Sequence, residues 1–151
     1  MRKRILTPVI LSLSLLATIP AEASASPADG RKSPVCTKYV NLAREIGFLK
    51  SDRWMLRVLM HRESRCQPQS IGRNRDSTGE VTSQDWGLLQ LNDVSWVTYL
   101  RNLDIISKRE DLLNPRTNLK AALALVEYTE SRGLPRWYQW RTNNENGSGR
   151  K

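Results

Sequence analysis

The chain is poor in the residues that build metal and nucleophile sites. Its 151 residues include two cysteines and one histidine. Two Cys and one His do not complete a zinc-type ligand set, and no spacing matches one, so no metal and no cofactor is expected. The lone His61 stands two residues before Glu63, which turns the two to different faces of a helix. Ser64 has no histidine at a workable local spacing, which argues against an activated serine nucleophile. Long apolar runs are also scarce. The one at Ile5–Ile19 spans 15 residues, contains Pro8 and is followed by Pro20. That is short of the ~20 residues that a membrane-crossing helix needs. No contiguous basic run reads as a nucleic-acid arm, and no internal repeat is visible.

What stands around that apolar run is informative. Arg2-Lys3-Arg4 precedes it, and Ala21-Glu22-Ala23 and Ala23-Ser24-Ala25 follow as small-x-small sites. This is the pattern of a secretory signal peptide over residues 1–25, cleaved near Ala23 or Ala25. The expected product is secreted, at the cell wall or in the periplasm, with no membrane contact after cleavage. Its 126 residues suit one domain, read here as a monomer. Removing Arg2, Lys3, Arg4 and Glu22 takes the formal net charge from +9 to +7. A basic exported protein suits an anionic partner such as a wall polymer, although the same charge also serves plain solubility. Cys36 and Cys66 both lie in the exported part, so a disulfide is expected. Closing a loop of that length stabilises a fold by roughly 3–4 kcal/mol in the chain-entropy description.

Residues 26–35 are rich in turn formers and read as a flexible leader. Cys36–Ile46 has the apolar spacing of a short helix ended by Gly47. A second helix, capped by Ser51 or Asp52, runs through the apolar stretch from Trp54 to Met60 and stops before Pro68. Gln67–Gln84 is polar, with the turn signal Asp76-Ser77-Thr78-Gly79, and suits a small hairpin or a flap. A third helix is expected over 94–103, capped by Asn92 or Asp93. A long last helix is expected over about 115–132, opened by Pro115, with Ala121, Ala122, Ala124, Leu125 and Tyr128 facing the core. Residues 142–151 are Asn, Gly, Ser and charge, a disordered tail by composition.

The chemistry concentrates in residues 61–92. Glu63 sits in the last turn of the second helix. The helix C-terminus and apolar neighbours both disfavour a charged carboxylate, which suits a general acid. The competing reading is a surface Glu paired with Arg62 or Arg65. Asp85 is a second carboxylate, or else a turn residue before Gly87. Gly87 either permits close backbone approach or only makes a turn. Gln90 and Asn92 would place amides on a cleft wall, or else cap and solvate. Trp54 and Trp96 are expected in the core. Trp137 and Tyr138, in the closing aromatic cluster, are candidate sugar-stacking faces.

Glu63-Ser64 ending a helix, a polar loop, and then Gly87-Leu88-Leu89-Gln90 together resemble the lysozyme-like superfamily, and the soluble lytic transglycosylases in particular. Asp85 to Asn92 also resembles the segment of C-type lysozymes that begins with their second carboxylate. Asn114-Pro115 with Asn118 is similar to a later segment of the superfamily. The Ala-Tyr-Asn-Ala-Gly segment of the transglycosylases is absent; Glu127-Tyr128-Thr129-Glu130 stands nearest. The resemblance covers about residues 36–141 and implies a mainly α, lysozyme-like α+β domain with a short hairpin beside the cleft. It implies a peptidoglycan glycan strand as substrate, or as ligand of a non-catalytic binding module of the same fold; the lack of a contiguous basic face argues against a nucleic-acid partner. Glu63 and Asp85 are its implied catalytic residues. Ser64, Gly87, Leu88, Gln90, Asn92, Trp137 and Tyr138 are its implied substrate-binding residues.

Overall fold

The computed structural model describes residues 34–141. The expected signal peptide and the expected tail lie outside the described residues, as does nearly all of the expected leader. The architecture is α+β: four α-helices around a buried core, with a small antiparallel sheet on one side.

Helix α1 (Pro34–Ile46) turns Cys36, Tyr39, Val40 and Ala43 inward, the spacing of one helical face. Helix α2 (Arg53–Ser64) buries Leu56, Leu59 and Met60. Trp54, expected in the core, is 60% exposed instead. At about 100° per residue it stands roughly 200° around the helix from Leu56, on the outer face. Asp52 does not cap α2 with its side chain. Its carboxylate turns back to accept the Leu49 N–H at 2.8 Å and a two-pronged contact from Arg136, at 2.8 and 2.7 Å. That pair anchors the C-terminal segment to the start of α2.

Helix α2 ends earlier than Pro68. Arg65 and Cys66 both take left-handed backbone, at φ 54° and 60°. Their amides return to His61 and Met60 at 3.0 and 2.9 Å, satisfying the last carbonyls. The Cys36–Cys66 disulfide holds this end against α1, with the Cα atoms 5.4 Å apart.

The polar segment is a hairpin. Strand β1 (Ile71–Arg75) pairs antiparallel with β2 (Val81–Trp86), which pairs in turn with the two-residue β3 (Leu91–Asn92). Helix α3 (Asp93–Asn102) follows, capped by Asn92, whose side-chain oxygen accepts the Ser95 amide. Helix α4 (Pro115–Ser131) begins with Asn114 as cap, accepting from Arg116 and Thr117. Its buried face is Asn118, Leu119, Ala121, Ala122, Leu125, Val126 and Thr129. Ala124 and Tyr128, expected there, are only half-buried; Tyr128 packs instead against Trp96 and Tyr99. A 3-10 turn at Tyr138–Trp140 closes the described chain.

The hairpin turn hangs on Asp76. One of its oxygens accepts from the Thr78 amide, the Thr78 hydroxyl and the Glu80 amide, at 2.9, 2.6 and 3.0 Å. The Thr78 hydroxyl is the main cause that holds this carboxyl below its ordinary value. A depressed folded-state value means the turn gains from the charged form above the ordinary carboxylate range and loses that gain as pH falls. An NMR titration should therefore show the Thr78 and Glu80 amides moving together, with a midpoint below the usual 3.8. A midpoint at or above that value would contradict the role given to Asp76.

Candidate active site

Two carboxylates reach one cleft from different elements. Glu63 comes from the last turn of α2, with its side chain 24% exposed. Asp85 comes from the middle of the sheet, on β2. Both line an open cavity of about 1170 Å³. Gln90 and Asn92 line it as well, together with Asn74, Ser83, Trp96 and Trp140.

The two acids are held differently. Glu63 meets Arg62, whose Nε and Nη2 both donate to Oε1, at 2.8 and 2.6 Å. The ion pair named as the competing reading of Glu63 is thus present, inside the cleft. The same Arg62 Nη2 donates to the Trp140 carbonyl at 2.5 Å. Among the described residues, no arginine donates to Asp85. Asn92 donates to its Oδ1 at 2.8 Å and Asn74 to its Oδ2 at 2.9 Å. Both amides also donate to Ser83 Oγ at 3.0 Å. The strand register produces this cluster. Asp85 faces Gly72 on one side and Asn92 on the other, and Ser83 faces Asn74. Residues two apart on a strand share a face, so four polar side chains converge. Gly72 leaves room for Gln90: a Cβ there would come within 2.8 Å of Gln90 Oε1.

Behind the cleft, the turn from Trp86 to Gln90 is fixed by buried groups. Asn118, fully buried on α4, donates to the carbonyls of Trp86 and Leu112 at 2.9 and 3.0 Å. Its Oδ1 accepts the Leu89 amide at 3.0 Å. Gly87 has φ +76°, and a Cβ there would collide with the Leu112 carbonyl and the Asn118 amide. Both readings of this glycine therefore hold, with protein rather than ligand making the close approach. Ser64 donates to the carbonyls of Leu88 and Met60 at 2.8 and 3.1 Å. Trp140 Nε1 donates to the Leu89 carbonyl at 2.9 Å.

The family described as transglycosylase SLT domain matches residues 49–150. The chain belongs to that family. A "Peptidoglycan-binding-like protein" of Escherichia coli O157:H7 is 37% identical over 65 residues, 42% of this chain and 38% of that protein. A "Putative peptidoglycan-binding-like protein" of Escherichia coli strain K12 is 35% identical over 65 residues, 42% of this chain and 40% of its own length. The chain thus spans about two fifths of the length of the curated relatives it matches. No solved structure matches it.

Within this SLT domain several expected ligands take other places. The side chains of Ser64 and Leu88 are buried, and neither residue, nor Gly87, lines the cavity. All three build the wall from behind, because their polar groups or their small size serve the turn. Trp137 stacks on Phe48 with ring centroids 6.0 Å apart, and Tyr138 lies beneath Arg141; neither lines the cavity. Trp140 does, and so does Trp96, which was expected only in the core. Gln90 lines the cavity but spends its amide hydrogens on the carbonyls of Ser70 and Gly87, at 3.1 and 2.8 Å. Gly72, Asn74 and Ser83 were missed, and Arg62 was named only as a surface partner of Glu63. The alternation Gly72, Asn74 opposite Ser83, Asp85 carried a weak signal, legible once the hairpin register is known.

The turn gives a stability test. Asn118→Ala removes three buried bonds and orphans their partners, and is expected to cost about 3 kcal/mol or more in urea unfolding. Gly87→Ala should cost a similar amount through collision and strain. Losses below about 1 kcal/mol in both would contradict this picture of the turn.

Proposed function

We propose that this chain cleaves the β-1,4 bond between N-acetylmuramic acid and N-acetylglucosamine in peptidoglycan, as a lytic transglycosylase or a muramidase. The observation that carries the reading is the pair Glu63 and Asp85 lining one cleft in a chain of the SLT family. Glu63 is the general acid. It protonates the leaving oxygen as the glycosidic bond breaks, and the carboxylate so formed then accepts a proton from the attacking hydroxyl. In a transglycosylase that hydroxyl is the muramic 6-OH, which closes an anhydro ring. In a muramidase it belongs to water. Split roles for two carboxylates in one cleft are the usual equipment for this bond cleavage.

The local geometry supports these roles. Arg62 takes only Oε1 of Glu63, and no hydrogen bond among the described residues takes Oε2. That second oxygen is the one available to carry the proton. Two amides orient Asp85, whose proposed part is to support positive charge at the anomeric carbon. Asn92, Gln90 and Trp140 are proposed to contact the sugars. Residues 36–141 form the proposed catalytic unit, working outside the cytoplasm, where the disulfide is stable.

A second reading follows from the names of the E. coli relatives, which are peptidoglycan-binding-like: the fold binds the wall without cutting it. One variant separates the two. The purified protein is expected to clear a cell-wall suspension, and Glu63→Gln to reduce the rate at least about 100-fold with thermal melting unchanged. Full activity in the variant would remove Glu63 from the mechanism. Wall retention without clearing by the unaltered chain would favour the binding module.

A further inference from the structure

Adjacent residues on a helix point about 100° apart, so their side chains do not ordinarily meet. Arg62 and Glu63 do meet: the Arg62 Nε and Nη2 both donate to Glu63 Oε1, at 2.8 and 2.6 Å. Nη2 also donates to the Trp140 carbonyl at 2.5 Å, across 78 positions of chain. One side chain thus joins the candidate acid to the C-terminal segment, and all three residues line the cavity. The pair adds little stability. The Arg62 side chain is 40% exposed and that of Glu63 24%, and ion pairs this open to solvent are worth little.

What the arrangement supplies is orientation. The Ser64 bond and the left-handed Arg65 fix the backbone around Glu63. The Glu63 side chain still has three torsions of its own. Among the described residues, only Arg62 hydrogen-bonds to it. Two donors on one oxygen fix Oε1 and leave Oε2 to the substrate. A carboxyl keeps acceptor capacity whether or not it carries a proton. The proton therefore leaves and returns at Oε2 while the Arg62 contacts stay in place.

We propose that Arg62 is a positioning residue of the reaction, holding the Glu63 carboxyl in its reactive orientation with the Trp140 carbonyl as anchor. The proposal rests on Glu63 as the acid of the proposed cleavage and adds what aims it. It also couples the C-terminal wall of the cleft to the geometry of the acid through one guanidinium.

Two measurements on the full chain test this. The first is steady-state cleavage of a soluble, uncross-linked glycan strand. Arg62→Met keeps the apolar stem and removes the donors. It is expected to lower kcat about ten- to 100-fold and to leave KM within about twofold, because binding is kept and alignment lost. Arg62→Lys returns a charged donor without the planar fork, and should raise kcat at least about threefold above the Met variant. Melting temperatures should stay within about 3 °C of the unaltered chain, as suits an exposed side chain. A kcat that is unchanged or raised, a change in KM alone, or a Lys variant no better than Met overturns the proposal.

The second measurement needs no turnover. The Arg141 N–H belongs to the same peptide unit as the Trp140 carbonyl, so its NMR resonance reports the bond from Arg62. Glu63→Ala should move that resonance, and should not move it once Arg62→Met is present. An unmoved resonance, or a shift that persists in the double variant, overturns the coupling. Should Arg62→Met not fold, the response of Arg141 to Glu63→Ala in the Arg62-bearing chain decides alone. Failure of the glycosidase reading is a different result, no wall clearing by the unaltered chain, and the Arg141 resonance then decides the coupling by itself.

Discussion

The buried side chain of Asn118 is the constraint on which the cleft depends. It satisfies three backbone groups that would otherwise be orphaned between α4, the Leu112 turn and the Trp86–Leu89 turn. A typical buried hydrogen bond contributes about 1 kcal/mol net, but leaving its partner unmet costs about 1–3 kcal/mol, so the three act as a latch. The other polar atoms of the turn are met from other directions. Ser64 on α2 takes the Leu88 carbonyl, Trp140 takes that of Leu89, and the Ser70 carbonyl takes the Gly87 amide. One short turn is thereby tied to a helix before it, a helix after it and the C-terminal segment.

That tie sets where the acids stand. Glu63 and Ser64 are neighbours at the end of α2, so the bond from Ser64 to the turn also fixes the Glu63 backbone. The disulfide at Cys66 and the left-handed residues Arg65 and Cys66 hold the same helix end from the other side. Asp85 immediately precedes the latched turn and is paired to Asn92, just beyond it. The same anchor therefore serves both walls. Arg62 adds a bridge from Glu63 to the Trp140 carbonyl, so the C-terminal segment closes one end of the cleft.

Much of this was legible in the chain because the signals are local. The Pro115 opening, the turn run at Asp76 and the Glu63-Ser64 helix end each depend on neighbours in sequence. What was not legible depends on partners far along the chain. Ser64 reaches a carbonyl 24 residues away and Trp140 one 51 residues away, and nothing local distinguishes a hydroxyl or an indole that will be buried from one that will touch a ligand. Trp54 misled for a related reason: a helix apolar on most sides does not say which large residue is left outside. Asp52 has the residue type of a cap, but its partner Arg136 lies 84 positions on and claimed it instead.

Mass spectrometry of purified peptidoglycan after incubation with the chain tests most directly whether Glu63 cleaves the strand. Soluble fragments are expected whose new ends are muramic residues, either as the 1,6-anhydro form or as reducing sugars, and none with the Glu63→Gln variant. Strands that stay uncut while the protein remains bound to them would contradict cleavage and leave a binding fold built around the same latched turn.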